Sequence, residues 1–190
     1  MEAATELAVL MALCVRGRAD AAQVARAAGC AEAEAVVVLT RVQSRGAAAP
    51  VASGSPAGLM ALTEAGHSEL VQLLAAESFD RAALAALYDR FLVVDRELKQ
   101  TITAWQLAAC KSVVRAAVMA AAAAAVVVAA ALAQIAARLG PYSGRIATAA
   151  EAVATGDPRF VASPRVDSLH QVWFELHEDL LLTLGRSRAA

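Results

Sequence analysis

The sequence predicts a mainly α-helical protein, with three helices and a small β-hairpin within residues 1–78 and a bundle of about four helices in residues 79–190. Three observations carry that expectation. Alanine supplies about a quarter of the 190 residues, and alanine is the strongest helix former because it loses no side-chain entropy on folding. Apolar residues reach 59% while aromatics are only 4%, so the cores should be small-residue cores with close helix contacts. Glycine and proline fall mostly where an apolar periodicity stops, which is where helices end.

The elements follow in order. Residues 5–14 carry an apolar stripe that ends at Arg16-Gly17-Arg18. Asp20 stands at an N-cap position for a short second helix, AAQVARAA, which Gly29 closes. A third helix is expected over 31–44, with Val36, Val37, Leu39 and Val42 toward the core. Pro50, Gly54, Pro56 and Gly58 exclude a helix from the next stretch. Its flanks, 49–52 and 59–62, read as the strands of a hairpin. Thr63 then caps a further helix. From 80 to 107, Leu84, Leu87, Phe91, Val94 and Leu98 recur at spacings of three and four. The alanine-rich helix is expected over 111–139 and broken by Gly140-Pro141, followed by helices over 143–154 and 166–184, the last with Asp167 near its start and Gly185 as its stop.

Charge and cysteine content bound the function. The net charge is −1, so a nucleic-acid partner requires basic residues concentrated on one face. Residues 1–78 hold five Arg, no Lys and eight Asp or Glu, a net of −3. Cys14, Cys30 and Cys110 are too far apart for a metal knot and are expected to be reduced, packed thiols. The uncharged run between Arg115 and Arg138 has the length of a membrane span. Alanine gives it little drive for insertion, so a buried or dimer-forming helix is expected, with no membrane partner. The opening residues lack a basic leader, and a cytoplasmic location is the expectation.

The segment AAQVARAAGCAEAEAVVVLTRVQSRG and the signature Leu62-Thr63-Glu64-Ala65-Gly66 resemble the winged helix-turn-helix domains of MarR-type and PadR-type bacterial regulators. YDRFLVVDRELK…WQ and GDPRFVASPRVDSLHQVWFELHEDLL are similar to a helical extension found on winged helices of some actinobacterial proteins. The resemblance implies a third helix in the DNA major groove, with Thr40, Arg41, Gln43, Ser44 and Arg45 as contact residues, and a homodimer reading two half-sites of double-stranded DNA. This chain departs from MarR-type wings, which usually carry an arginine at the tip: residues 47–62 have no charge. Glu32 and Glu34 at the front of the third helix would repel phosphate.

The last helix is richest in functional side chains. His170, Trp173 and His177 share one stripe, with Glu175 and Asp179 as an acidic pair nearby. With Tyr88 and Trp105 from the first long helix, they could line a site for a small apolar or aromatic effector. His170 and His177 are also the candidate acid–base pair if the chain is an enzyme, which is the less favoured expectation. Two turns, roughly 10 Å of rise, separate the histidines, so one ion would not bind both. No metal and no cofactor are expected. The leading expectation is a transcriptional regulator whose helical half holds the effector. The rival is a winged helix without DNA binding, whose helical half is an enzyme or a partner-binding module.

Overall fold

The computed structural model describes residues 2–51 and 58–187 and is mainly helical. It divides into two compact units, Met1–Ser78 and Phe79–Ala190.

Unit 1 runs α1 (Glu2–Arg16), α2 (Ala21–Ala28), α3 (Glu32–Ser44), β1 (Ala48–Pro50), β2 (Met60–Leu62) and α4 (Glu64–Ala76). Asp20 caps α2 reciprocally: its carboxylate accepts the Gln23 N–H at 2.8 Å, and the Gln23 side chain accepts the Asp20 N–H at 3.0 Å. Gly29 ends α2 in the left-handed region at φ 70, a conformation that costs glycine nothing. The hairpin is antiparallel with Ala49 opposite Ala61. Met60 also exchanges two backbone hydrogen bonds with Ala19, at 2.9 and 3.0 Å, which ties the link between α1 and α2 to the hairpin. The expected turn at Gly54 and Pro56, and Ala52 at the end of the expected first strand, lie outside the described residues.

The core of unit 1 is built from α1 (Leu7, Leu10, Met11, Leu13), Val24, Val38, Leu39, Val42, Leu70 and Leu74. Val36 and Val37 do not join it; they are 46% and 64% exposed. The buried arc of α3 is Ala35, Val38, Leu39 and Val42, a clean i, i+3, i+4, i+7 set, and 100° per residue turns Val36 and Val37 outward.

Unit 2 runs α5 (Arg81–Leu107), α6 (Lys111–Ile135), a 3-10 turn (Ala137–Leu139), α7 (Gly140–Ala154), the short α8 (Arg159–Ala162) and α9 (Leu169–Leu184). Helix α6 packs against both α5 and α7, and α9 packs against α5, α7 and α8. The buried face of α6 is Val118, Ala121, Ala122, Ala125, Val128, Ala129 and Leu132, so its neighbours approach over alanine. This helix is long and apolar enough to cross a membrane; an 18-residue window of it has mean hydropathy 2.5 and is 39% buried within the chain.

Three boundaries in unit 2 differ from expectation. The alanine-rich helix stops at Ala136, whose backbone is extended, rather than at Gly140-Pro141. Pro141 instead sits in the first turn of α7, where its missing N–H would have had no helical partner. Helix α9 starts after Ser168, whose hydroxyl accepts from the Gln171 N–H at 3.3 Å, so Val166 and Asp167 precede it. Helix α8 was not expected, because four residues give no periodicity to detect.

Candidate functional site

On unit 1, the residues implied for DNA contact split into two groups. Thr40, Gln43 and Ser44 are exposed on α3. The Thr40 and Ser44 hydroxyls donate to the carbonyls of Val36 and Arg41 at 2.9 and 2.8 Å, as helical Ser and Thr commonly do. The two cations are engaged within the unit. Arg45 Nη2 donates to Glu69 Oε1 at 2.6 Å and Glu6 Oε1 at 2.9 Å, and its Nε donates to Glu69 Oε2 at 3.1 Å. Arg41 Nε lies 3.2 Å from Glu6 Oε2. Glu6 on α1 and Glu69 on α4 thus neutralise Arg41 of α3 and Arg45 at its C-terminal cap. Each pair is partly exposed, and such pairs are worth about 0–1 kcal/mol. The open face of α3 is left with Glu32, Val36, Val37, Thr40, Gln43 and Ser44, while Glu34 accepts the Thr5 hydroxyl at 3.0 Å.

In unit 2, three of the five residues expected at an effector site meet. Tyr88 Oη and His177 Nε2 are 3.0 Å apart, and His177 Nδ1 lies 3.7 Å from Asp95 Oδ1. Trp173 Nε1 donates to the same Asp95 oxygen at 2.9 Å, and Lys99 Nζ donates to the other at 2.7 Å. Phe91 stacks on Trp173 with ring centroids 4.4 Å apart and meets the edge of His177 at 5.0 Å. Asp95 was missed from sequence. Its signal was its phase on α5, one turn after Phe91 and four residues from its partner Lys99.

The other two expected residues lie elsewhere. Trp105 is 17 residues beyond Tyr88 on α5, roughly 25 Å along the axis. It is buried beneath Lys111, whose Nζ is 5.7 Å from the ring centroid and donates to the carbonyls of Gln106 and Ala108 at 3.2 and 2.9 Å. His170 shares the azimuth of His177 but is exposed, whereas His177 is buried against Tyr88 and Phe91 of α5. The two histidines therefore do not form an acid–base pair.

The acidic pair of α9 is buried and paired with arginines. Glu175 and Asp179 are 0% and 1% exposed. Arg138 Nη1 donates to both Asp179 oxygens at 2.7 Å, and the Tyr142 and Thr183 hydroxyls add bonds of 3.0 and 3.1 Å. Arg145 Nη2 reaches Glu175 at 2.6 Å and its Nε reaches Asp167 at 3.2 Å. Gln171 donates to the remaining Glu175 oxygen at 3.0 Å. Arg145 Nη1 is buried without a hydrogen-bond partner, one unspent donor inside the unit. The legible signal was the spacing of Arg138, Tyr142 and Arg145, at four and three residues, which makes a stripe that matches Glu175 and Asp179 on α9.

Burial pushes the Tyr142 phenol well above the ordinary tyrosine value, and the charges of Asp179 and Glu175 add to it. The folded chain therefore keeps a proton that the unfolded chain releases near pH 10. This stabilisation is complete below about pH 10 and fades as the pH rises beyond it. Thermal unfolding followed from pH 7 to 11.5 should show a steeper alkaline decline for the wild type than for Tyr142→Phe. Parallel curves would exclude the mechanism.

Cys110 is exposed rather than packed. Its sulfur lies 3.0 Å from Ser112 Oγ, and that hydrogen bond, with the backbone N–H groups of Ser112 and Val113, lowers its pKa. No group of three or more metal-ligating side chains occurs among the described residues.

The fold and these two clusters define a class: a mainly helical chain of two units, one with a solvent-facing α3 and one with a charge-balanced core. No protein-family model, curated protein or solved structure matches this chain.

Proposed function

We propose that this chain is a winged-helix transcriptional regulator: unit 1 docks α3 on double-stranded DNA, and unit 2 serves self-association and sensing of a small apolar or aromatic effector. The observation that carries the reading is the order of unit 1 together with the Ala19–Met60 bridge. Helix, short bridging segment, two helices, hairpin and helix is the order of a winged helix, and α3 then occupies the recognition position. Thr40, Gln43 and Ser44 supply base-edge and phosphate hydrogen-bonding groups on its open face.

Unit 2 supports the second half of the proposal through α6. Its solvent-facing positions Val113, Ala116, Ala120, Ala123, Val127, Ala130 and Gln134 alternate at three and four residues and carry no charge. That is the repeat of a helix–helix seam, and a second copy is the partner we assign to it; sedimentation at micromolar concentration reads the dimer. An effector would have to part the Phe91–Trp173 stack, so Trp173 fluorescence reports its arrival.

The deciding measurement is retention on random duplex DNA at low salt, followed by a salt titration. With so few free cations, the expected slope of log K against log salt is shallow, about −2 to −3 rather than the −5 to −9 of a binder with 6–10 phosphate contacts. Complete loss of retention at ~20 mM salt would remove the regulator reading. One observation favours a second reading, in which α3 docks a protein: Val36 and Val37 are exposed beside Glu32, a surface better suited to an apolar and basic groove than to phosphate. Under it, Val37→Asp abolishes partner capture while DNA retention is absent from the start.

A further inference from the structure

We infer that Glu6 and Glu69 limit the affinity of unit 1 for DNA by holding Arg41 and Arg45 as internal ion pairs, so that these two glutamates are affinity-setting residues. The inference rests on the DNA-binding reading above.

The four side chains come from three helices and sum to zero charge. Glu6 bridges both arginines, and Glu69 takes Arg45 through two nitrogens. The two-point contact of a guanidinium with a carboxylate has the geometry it would use on a phosphate. Glu69 therefore occupies the donors that a DNA backbone would need. Phosphate binding gains most of its affinity by releasing condensed counterions, about one per phosphate neutralised. An arginine that already carries a carboxylate brings no net charge to that exchange. With both glutamates in place, α3 meets the duplex with its cations spent and with Glu32 at its front.

Removing one carboxylate should restore about one counterion. Glu69→Gln keeps the shape and a hydrogen-bond acceptor for Arg45 but deletes the charge. It should raise affinity for random duplex DNA by roughly five- to tenfold at 0.1 M salt and steepen the salt slope by about one unit. Glu64→Gln, on the same helix and with the same change in net charge, is the control, because Glu64 lies five residues before Glu69 and so about 140° around the helix from it. The expected result is a clear gain for Glu69→Gln and a smaller one for Glu64→Gln, whether or not the wild type binds measurably. Equal gains in the two variants would mean that only net charge matters and would overturn the proposal. Weaker binding by Glu69→Gln than by a wild type that binds would overturn it too and leave the regulator reading standing. If neither the wild type nor any variant binds, both fall together. Should Glu69→Gln unfold, Glu6→Gln takes its place, since it releases Arg41 as well.

Discussion

Replacing Gly66 with alanine is expected to destabilise unit 1 by about 3 kcal/mol or more, read as a fall in its thermal or denaturant midpoint. Helix propensity alone predicts the opposite, because Gly→Ala inside a helix normally gains about 1 kcal/mol. The close approach decides the sign. A Cβ on Gly66 would sit 1.9 Å from the Ala47 carbonyl oxygen and 2.9 Å from its carbon. That carbonyl cannot move aside freely, since it accepts the Thr63 N–H at 3.1 Å. The neighbouring Gly46 carbonyl is fixed as well, by the Thr63 hydroxyl at 2.6 Å. The glycine of Leu62-Thr63-Glu64-Ala65-Gly66 is thus required by the backbone that enters β1. A stabilised Gly66→Ala variant would show that this contact is absent in solution.

Arg138→Met should cost unit 2 about 3–5 kcal/mol, the usual penalty for stranding a buried charge. Asp179 would keep two hydroxyl donors but lose the guanidinium that contacts both its oxygens. For a unit of this size that corresponds to a midpoint lowered by roughly 10–20 °C. The double variant Arg138→Met/Asp179→Leu separates charge from packing. Replacing a buried pair by apolar groups is often close to neutral, so the double variant should recover most of the loss. If the single variant unfolds within about 1 kcal/mol of the wild type, Asp179 is reached by water and the buried network has been misjudged.

How much of this was legible follows from the range of each signal. Asp20, Gly29, Thr63 and Gly185 act on neighbours one turn away, and their caps could be read directly from the chain. The mainly helical character followed from alanine and apolar spacing. Which valines of α3 face inward did not, because five consecutive apolar positions, Ala35 to Leu39, leave the phase open until Val38 and Val42 find the core. Tyr88, Trp173 and His177 could be grouped from their helix phases, yet Trp105, also buried on α5, lies four to five turns away. The ion pairs were the least visible. Glu6 and Arg45 are 39 residues apart, and Arg138 and Asp179 are 41, and only the packing of separate helices brings such charges together.

Glu175 and Asp179 sit downstream of the arginines they neutralise, and this orders the events of synthesis. Helices α5 to α7 are synthesised before Glu175 and Asp179 are added. Until α9 is in place, Arg138 and Arg145 lack the acids that pair with them, so unit 2 cannot close its core. Unit 1 has every partner it needs by residue 78 and can complete its core while translation continues. A ribosome that stalls before α9 would therefore release a chain with one finished half and one loose, alanine-rich half, a natural substrate for proteolytic clearance.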